Sequence, residues 1–174
     1  LTVTISDGEL VVNQSFTLTV HDINDPPILA GINDQEINED SELIIELMAN
    51  DIDGDELTFY VNPVVEALLI IENNYLTLTP VLNYFGEINV SVSVSEGELT
   101  DTTNFSVNVL PVNDAPFLAA ITDTVVNEGE VLTIPLNTGD IDGDEILFIT
   151  QVEDNGSAEV TDNILTVSPE PFYN

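Results

Sequence analysis

Residues 88–109 read INVSVSVSEGELTDTTNFSVNV. From Ile88 to Ser95 apolar side chains alternate with Asn and Ser, and the alternation resumes from Phe105 to Val109. Successive side chains of an extended chain point to opposite faces, so this period sets one apolar face against a core and one polar face toward water. The break SEGEL at 95–99 joins the two runs as a hairpin turn. The reading is therefore antiparallel strands buried on one side. LTVTIS at 1–6 and FTLTV at 16–20 show the same alternation around SDGEL at 6–10.

That second hairpin is one of five matches at a single offset. SDGEL at 6 returns as SEGEL at 95, NDPP at 24 as NDAP at 113, and INED at 37 as VNEG at 126. DIDGDE at 51 returns unchanged at 140, and LTLTP at 76 returns as LTVSP at 165. Every pair is 89 residues apart, so the chain is a tandem repeat. Within one period the pattern predicts strands near 35–38, 42–48, 57–62, 67–71, 75–79, 88–95 and 102–110. VVEALLII at 64–71 is the one run with a helical alternative, and its β-branched residues favour a strand. Seven short strands per period suit an all-β architecture of tandem seven-stranded Greek-key β-sandwiches. Phe16, Phe59, Phe105 and Phe148 fall on strands and are expected in the core.

The period also sets the expected boundaries. Residue 1 aligns with residue 90, and residue 174 with residue 85. Residues 30–118 form one complete repeat, 1–29 the last two strands of a preceding one, and 119–174 the first five of a following one. Neither end piece can bury its apolar face alone. The expectation is head-to-tail completion, by neighbouring repeats or by 1–29 of a neighbouring copy adding strands to an open sheet.

Composition narrows the function. The 174 residues include 33 acids, no Lys or Arg, one His and no Cys, for a formal charge of −33. Hydrophobic residues make up 43% of the chain and mean hydropathy is +0.19, which separates it from disordered acidic chains. Nucleic acid is not an expected partner, because a duplex needs cationic side chains to displace its counterions. An anionic membrane repels the chain for the same reason. No apolar run reaches the ~18 residues of a spanning helix, so direct membrane insertion is not expected. The start has no basic region of a signal peptide, which places any targeting segment outside this stretch. His21 is the only imidazole, there is no thiol, and no cation is present to stabilise an oxyanion or phosphate. An enzyme is therefore not expected.

DIDGDE carries four carboxylates in six residues with no cationic side chain to offset them. In D-I-D two carboxylates point the same way along an extended chain and can reach one ion, and Gly54 or Gly143 lets the turn bring a third oxygen round. Calcium takes six to eight such oxygens. The spacing is not that of an EF-hand loop. INDPP at 23–27 and VNDAP at 112–116 follow the last strand of each repeat and add Asn and Asp oxygens at a proline-stiffened joint.

At these motifs the sequence resembles the cadherins. INEDSELIIELMANDIDGDELTF at 37–59 looks like their early Glu followed by D-x-D, and HDINDPP at 21–27 looks like their linker D-x-N-D-N-x-P. LTLTPVLNYFGEINVSVSVSEGELTDTTNFSVNVLPVNDAP at 76–116 is similar to the cadherin-like, dystroglycan-type and bacterial Ig-like repeats of large bacterial surface proteins. The resemblance implies a calcium site at each joint. The second joint would use Glu39, Asn113, Asp114, Asp140 and Asp142; the first would use Asn24, Asp25, Asp51, Asp53 and Glu96, with Asp22 as the first linker acid. Glu128 would serve a later joint, and Asp7 matches Glu96 in the preceding repeat. Two departures imply fewer ions than in cadherins: Pro111 stands where the pattern wants Asp, and VLNY at 81–84 replaces the acidic motif before the sixth strand.

The resulting expectation is a calcium-stiffened extracellular or cell-surface repeat, serving as a spacer, an adhesin stalk or a filament unit. The alternative is a carbohydrate- or protein-binding module using aromatic loop ends, NYFG at 83–86 and FYN at 172–174.

Overall fold

The computed structural model describes residues 1–21, 23–152 and 155–171. Sixteen strands follow one another, with no helix among the described residues. In order they are β1 (Thr2–Ser6), β2 (Val11–Ser15), β3 (Ile28–Leu29), β4 (Gln35–Asn38), β5 (Leu43–Glu46) and β6 (Ala49–Asn50). Then come β7 (Thr58–Val61), β8 (Ala67–Glu72), β9 (Tyr75–Pro80), β10 (Gly86–Ser95) and β11 (Thr100–Leu110). The last five are β12 (Phe117–Leu118), β13 (Leu132–Pro135), β14 (Thr138–Gly139), β15 (Gly156–Thr161) and β16 (Ile164–Pro169). The chain divides into two compact units, one of 1–35, 42–79 and 87–108, the other of 36–41, 80–86 and 109–174.

The strands of the central repeat form a sandwich. One sheet has the order β4-β11-β10-β7 and the other β5-β9-β8, with the chain crossing between sheets after β4, β5, β7 and β9. All seven strands that the alternation predicts are present, with ends shifted by two residues at most. The alternation also identifies the core. Ile88, Val90, Val92 and Val94 of β10 are buried with Phe105, Val107 and Val109 of β11, and Leu76 and Leu78 of β9 lie beneath the other sheet. Each such side chain contributes about 1.5–3 kcal/mol when it leaves water. A two-residue ladder, Ile28↔Asn50 and Leu29↔Ala49, joins β3 to β6. It is too short for any alternation to announce.

Residues 1–16 form a hairpin, and the FTLTV run at 16–20, expected as a strand, forms none. β1 pairs only with β2, from Thr2↔Ser15 to Ser6↔Val11. Its polar face is knitted by Thr2 Oγ1 to Ser15 Oγ at 3.0 Å and by Thr4 Oγ1 donating to Asn13 Oδ1. Its apolar face is exposed, Phe16 included, and Phe16 lies just beyond the end of β2.

The second unit repeats half of the sandwich. β12, β13, β14, β15 and β16 begin and end 89 residues after β3, β5, β6, β8 and β9, with the same pairings, β12-β14 and β13-β16-β15. The register is kept as well: Leu43↔Leu78 in the first copy becomes Leu132↔Val167 in the second. Asp162 and Asn163 both take positive φ, 52° and 62°, at the two-residue turn between β15 and β16, where a left-handed turn matches the strand twist. Phe148 is half-buried and on no strand, unlike its strand-borne counterpart Phe59.

Candidate metal centre

In the first unit the DIDGDE loop closes on its own leading acid. Asp51 Oδ1 accepts from the backbone N–H of Asp53 at 2.8 Å, of Gly54 at 2.9 Å and of Asp55 at 3.3 Å. Gly54 takes a φ of 84°, which a side chain would resist. One carboxylate oxygen from each of Asp51, Asp53 and Asp55 lies within 4.8 Å of the others. The linker meets this loop: Asp25 N donates to Asp53 Oδ2 at 2.8 Å, and Pro27, two residues on, is buried. Glu96, at the turn after β10, accepts from the side-chain amide of Asn24.

Two oxygens of this cluster, Asp51 Oδ2 and Glu96 Oε2, are buried without a hydrogen-bond partner. Burial pushes the Glu96 carboxyl up; the Asn24 amide opposes this, a hydrogen bond with Asp51 adds to it, and the charges of Asp51 and Asp55 add further. Burial also acts to raise Asp51, but the Asp55 N–H, Glu96 and the N–H groups of Asp53 and Gly54 outweigh it and hold Asp51 below the usual carboxylate range. Asp51 thus stays ionised beside an acid that resists ionisation. A divalent cation held there would relieve both.

The second unit repeats the arrangement with a different set of acids. Asp140 Oδ1 accepts from Asp142 N at 3.0 Å and Asp144 N at 3.2 Å, and Asp114 N donates to Asp142 Oδ2 at 2.6 Å. The extra member is Glu39, 4% exposed in a chain with no cationic side chain to pair it. It follows β4, donates its N–H to Leu110 O at 2.8 Å and takes the Val112 N–H on Oε1. Carboxylate oxygens of Glu39, Asp114 and Asp142 lie within 4.8 Å of one another. Asp114 Oδ2 is buried and unpartnered, and the Asp114 carboxyl is raised, first by burial and then by the charges of Asp142, Asp40, Glu39 and Asp140.

The structure gathers Asn24, Asp25, Asp51, Asp53 and Glu96 at one site, and Glu39, Asp114 and Asp142 at the other. Asp140, like Asp51, gives its Oδ1 to backbone N–H groups of its own loop, and its charge acts on Asp114. Asn113 turns its amide to the Asp114 carbonyl at 2.9 Å. Asp22 lies outside the described residues. Asp55 joins the first cluster although D-x-D alone does not name it; the signal was the third acid of DIDGDE, brought back by Gly54. The donors are all oxygen, three of them are buried with nothing to satisfy them, and the counter-charge must come from outside. This set fits a hard cation of flexible coordination, which is calcium rather than a nitrogen- or sulfur-seeking metal.

Residues 24–108 match the bacterial Ig domain family, which spans the linker, the whole sandwich and the late Glu. The 89-residue period carries the pattern of this matched stretch beyond both of its ends. No curated protein matches the sequence. Among solved structures it is similar to an endo-fucoidan hydrolase of glycoside hydrolase family 107, at 18% identity, a TM-score of 0.42, and coverage of 98% of this chain. This chain spans 30% of that enzyme. It is similar to protocadherin gamma B7 extracellular domains 1–4, at 12% identity and a TM-score of 0.42, over 86% of this chain and 42% of that one. It is also similar to tandem Ig repeats of Dlar, at 13% identity and a TM-score of 0.37, over 83% of each chain. Among the described residues no helix is long and apolar enough to cross a membrane.

Proposed function

We propose that this chain is a calcium-rigidified extracellular repeat module, acting as a structural spacer or adhesin stalk, and that it is not an enzyme. The observation that carries the reading is the trio of buried, unpartnered carboxylate oxygens, on Asp51, Glu96 and Asp114, at the two linkers. Calcium bound there supplies the positive charge the chain lacks. Asp25 and Asp114 place linker backbone against the D-x-D loop, and the ion holds that linker in one conformation. Glu39 adds a ligand from the end of the central sandwich, so an ion at the second cluster ties it to the linker that follows. Extracellular calcium modules bind near ~10⁻⁴–10⁻³ M, a range that keeps such joints loaded only outside the cell. At ten times its dissociation constant each ion adds roughly 1.4 kcal/mol. That is small for folding a domain and sufficient to fix a hinge.

A sugar-binding reading has less to stand on. Of the NYFG loop, Phe85 is exposed and Tyr84 is half-buried with its ring against Gly86, while FYN at 172–174 lies outside the described residues. A calcium titration followed by small-angle X-ray scattering tests the proposal. Calcium should lengthen and stiffen the particle, and chelator should reverse the change. Identical scattering in both conditions would contradict it.

A further inference from the structure

The two repeats share one sheet and differ in what its edge strand shows to water. β8 is the last strand of the sheet β5-β9-β8, and β15 holds the same place in β13-β16-β15. The two strands begin 89 residues apart and are equally long, Ala67–Glu72 and Gly156–Thr161. Along β8 the side chains alternate: Ala67 is buried and Leu69 half-buried, whereas Leu68 is 62% exposed and Ile70 44%. Read with the residue before the strand, the outward row is Glu66, Leu68, Ile70 and Glu72. An apolar pair stands between two acids. The equivalent row on the second repeat is Asn155, Ser157, Glu159 and Thr161. Neither the apolar pair nor either flanking acid is kept there, although the strand order is the same. The fold therefore does not demand them. Ile44 of β5 agrees: it is 59% exposed, stands opposite Thr77 of β9, and is replaced by Thr133 in the second repeat.

We propose that the edge of β8 is a docking site for an extended segment of another protein, one that presents two apolar side chains between two Lys or Arg at alternate positions. Such a segment adds as a fourth strand to β5-β9-β8. Its apolar side chains lie beside Leu68 and Ile70, and its cations reach Glu66 and Glu72 at the spacing of a cross-strand pair. The acids decide the occupant. A second copy pairing antiparallel through β8 would set Glu66 against Glu72 twice, between two chains of −33 with no Lys or Arg. Like charges directly opposite destabilise a ladder. The same two acids thus repel a copy of this chain and attract a cationic strand. Edge strands are also protected by Pro or by an inward-pointing charge, and ALLIIE has neither. On β15 the charge of Glu159 interrupts the row instead.

The probe is a labelled peptide, Lys-Thr-Val-Thr-Val-Thr-Lys with blocked ends, whose alternate side chains carry this pattern. Fluorescence anisotropy measures its binding to the 174-residue chain at physiological salt, with calcium in excess so that lysine does not compete at the metal clusters. Binding is expected, and Leu68→Ser with Ile70→Glu should weaken it at least roughly tenfold. Both residues are exposed and the replacements are those of β15, so circular dichroism should show an unchanged sheet. Because this variant adds an acid, attraction by charge alone would leave it binding no worse. Glu66→Gln with Glu72→Gln should weaken binding and flatten its dependence on salt. Glu9→Gln with Asp123→Asn removes the same charge elsewhere and should leave the affinity within roughly twofold. Hydrogen exchange should slow in β8 on binding and stay unchanged in β15. The proposal is overturned by no binding, by equal binding to the Leu68→Ser and Ile70→Glu variant, or by equal binding of a peptide with Ser in place of Val. A wild-type oligomer in sedimentation velocity that this variant abolishes would also overturn it, since a second copy would then be the occupant.

Discussion

Asp114 is a carboxylate that its surroundings resist charging: one oxygen is buried without a partner, and four other acids act on it. Its folded pKa is raised, as is that of Glu96, so the metal-free folded state holds these protons more tightly than the unfolded chain does. Lowering the pH from neutrality toward the ordinary carboxylate range should therefore stabilise the metal-free protein. Asp51, Asp34 and Asp7 are held below their usual range, so their contribution runs the other way and is lost at still lower pH. Urea unfolding against pH in chelator should show a maximum on the acid side of neutrality. With calcium the maximum should move toward neutral pH, because ligands must be ionised to bind. Asp142→Asn removes a ligand and a repelling charge together. It should weaken calcium binding at the second cluster at least roughly tenfold by titration calorimetry, with metal-free stability unchanged or raised. The sequence named most of this site because D-x-D and N-D mark it by composition. It could not show which oxygen each loop ties to its own backbone, as Asp51 Oδ1 and Asp140 Oδ1 are, since hydrogen-bond partners depend on how each loop closes.

Between strands, the difference lies in what covers them. Leu76 of β9 is at 0% exposure, and Leu165, its equivalent on β16, is half-buried in the same ladder register. Leu76→Ala should cost about 2–5 kcal/mol, and Leu165→Ala less than half of that. Denaturant unfolding of the two variants checks the ratio; equal losses would mean that the second unit is packed as tightly as the first. Period-two alternation made β4, β5, β7, β8, β9, β10 and β11 legible, because one apolar face per strand is a direct demand of a sandwich. It did not distinguish Phe105, which is buried, from Phe16, which is exposed, although both stand in the same repeat position. Alternation says which face seeks a cover, and the cover itself is a fact of tertiary structure. β3 and β6 escaped notice because two residues carry no period.

Across the whole chain, 33 acids and no Lys or Arg give −33, and self-repulsion opposes compactness unless cations neutralise it. Monovalent salt screens this repulsion, with a Debye length of about 8 Å at physiological strength, but it does not bridge a linker to a loop. Raising sodium chloride in chelator should therefore contract the particle without the stiffening that calcium brings. Scattering profiles in salt, in calcium and in magnesium separate these effects; magnesium, with its near-octahedral demand, should substitute poorly. The account stands most directly on whether an ion sits at the two clusters. Crystals grown with ample calcium and measured for anomalous scattering should show a peak among Glu39, Asp114 and Asp142 and another among Asp51, Asp53 and Glu96. Ordered water alone at both positions would contradict it.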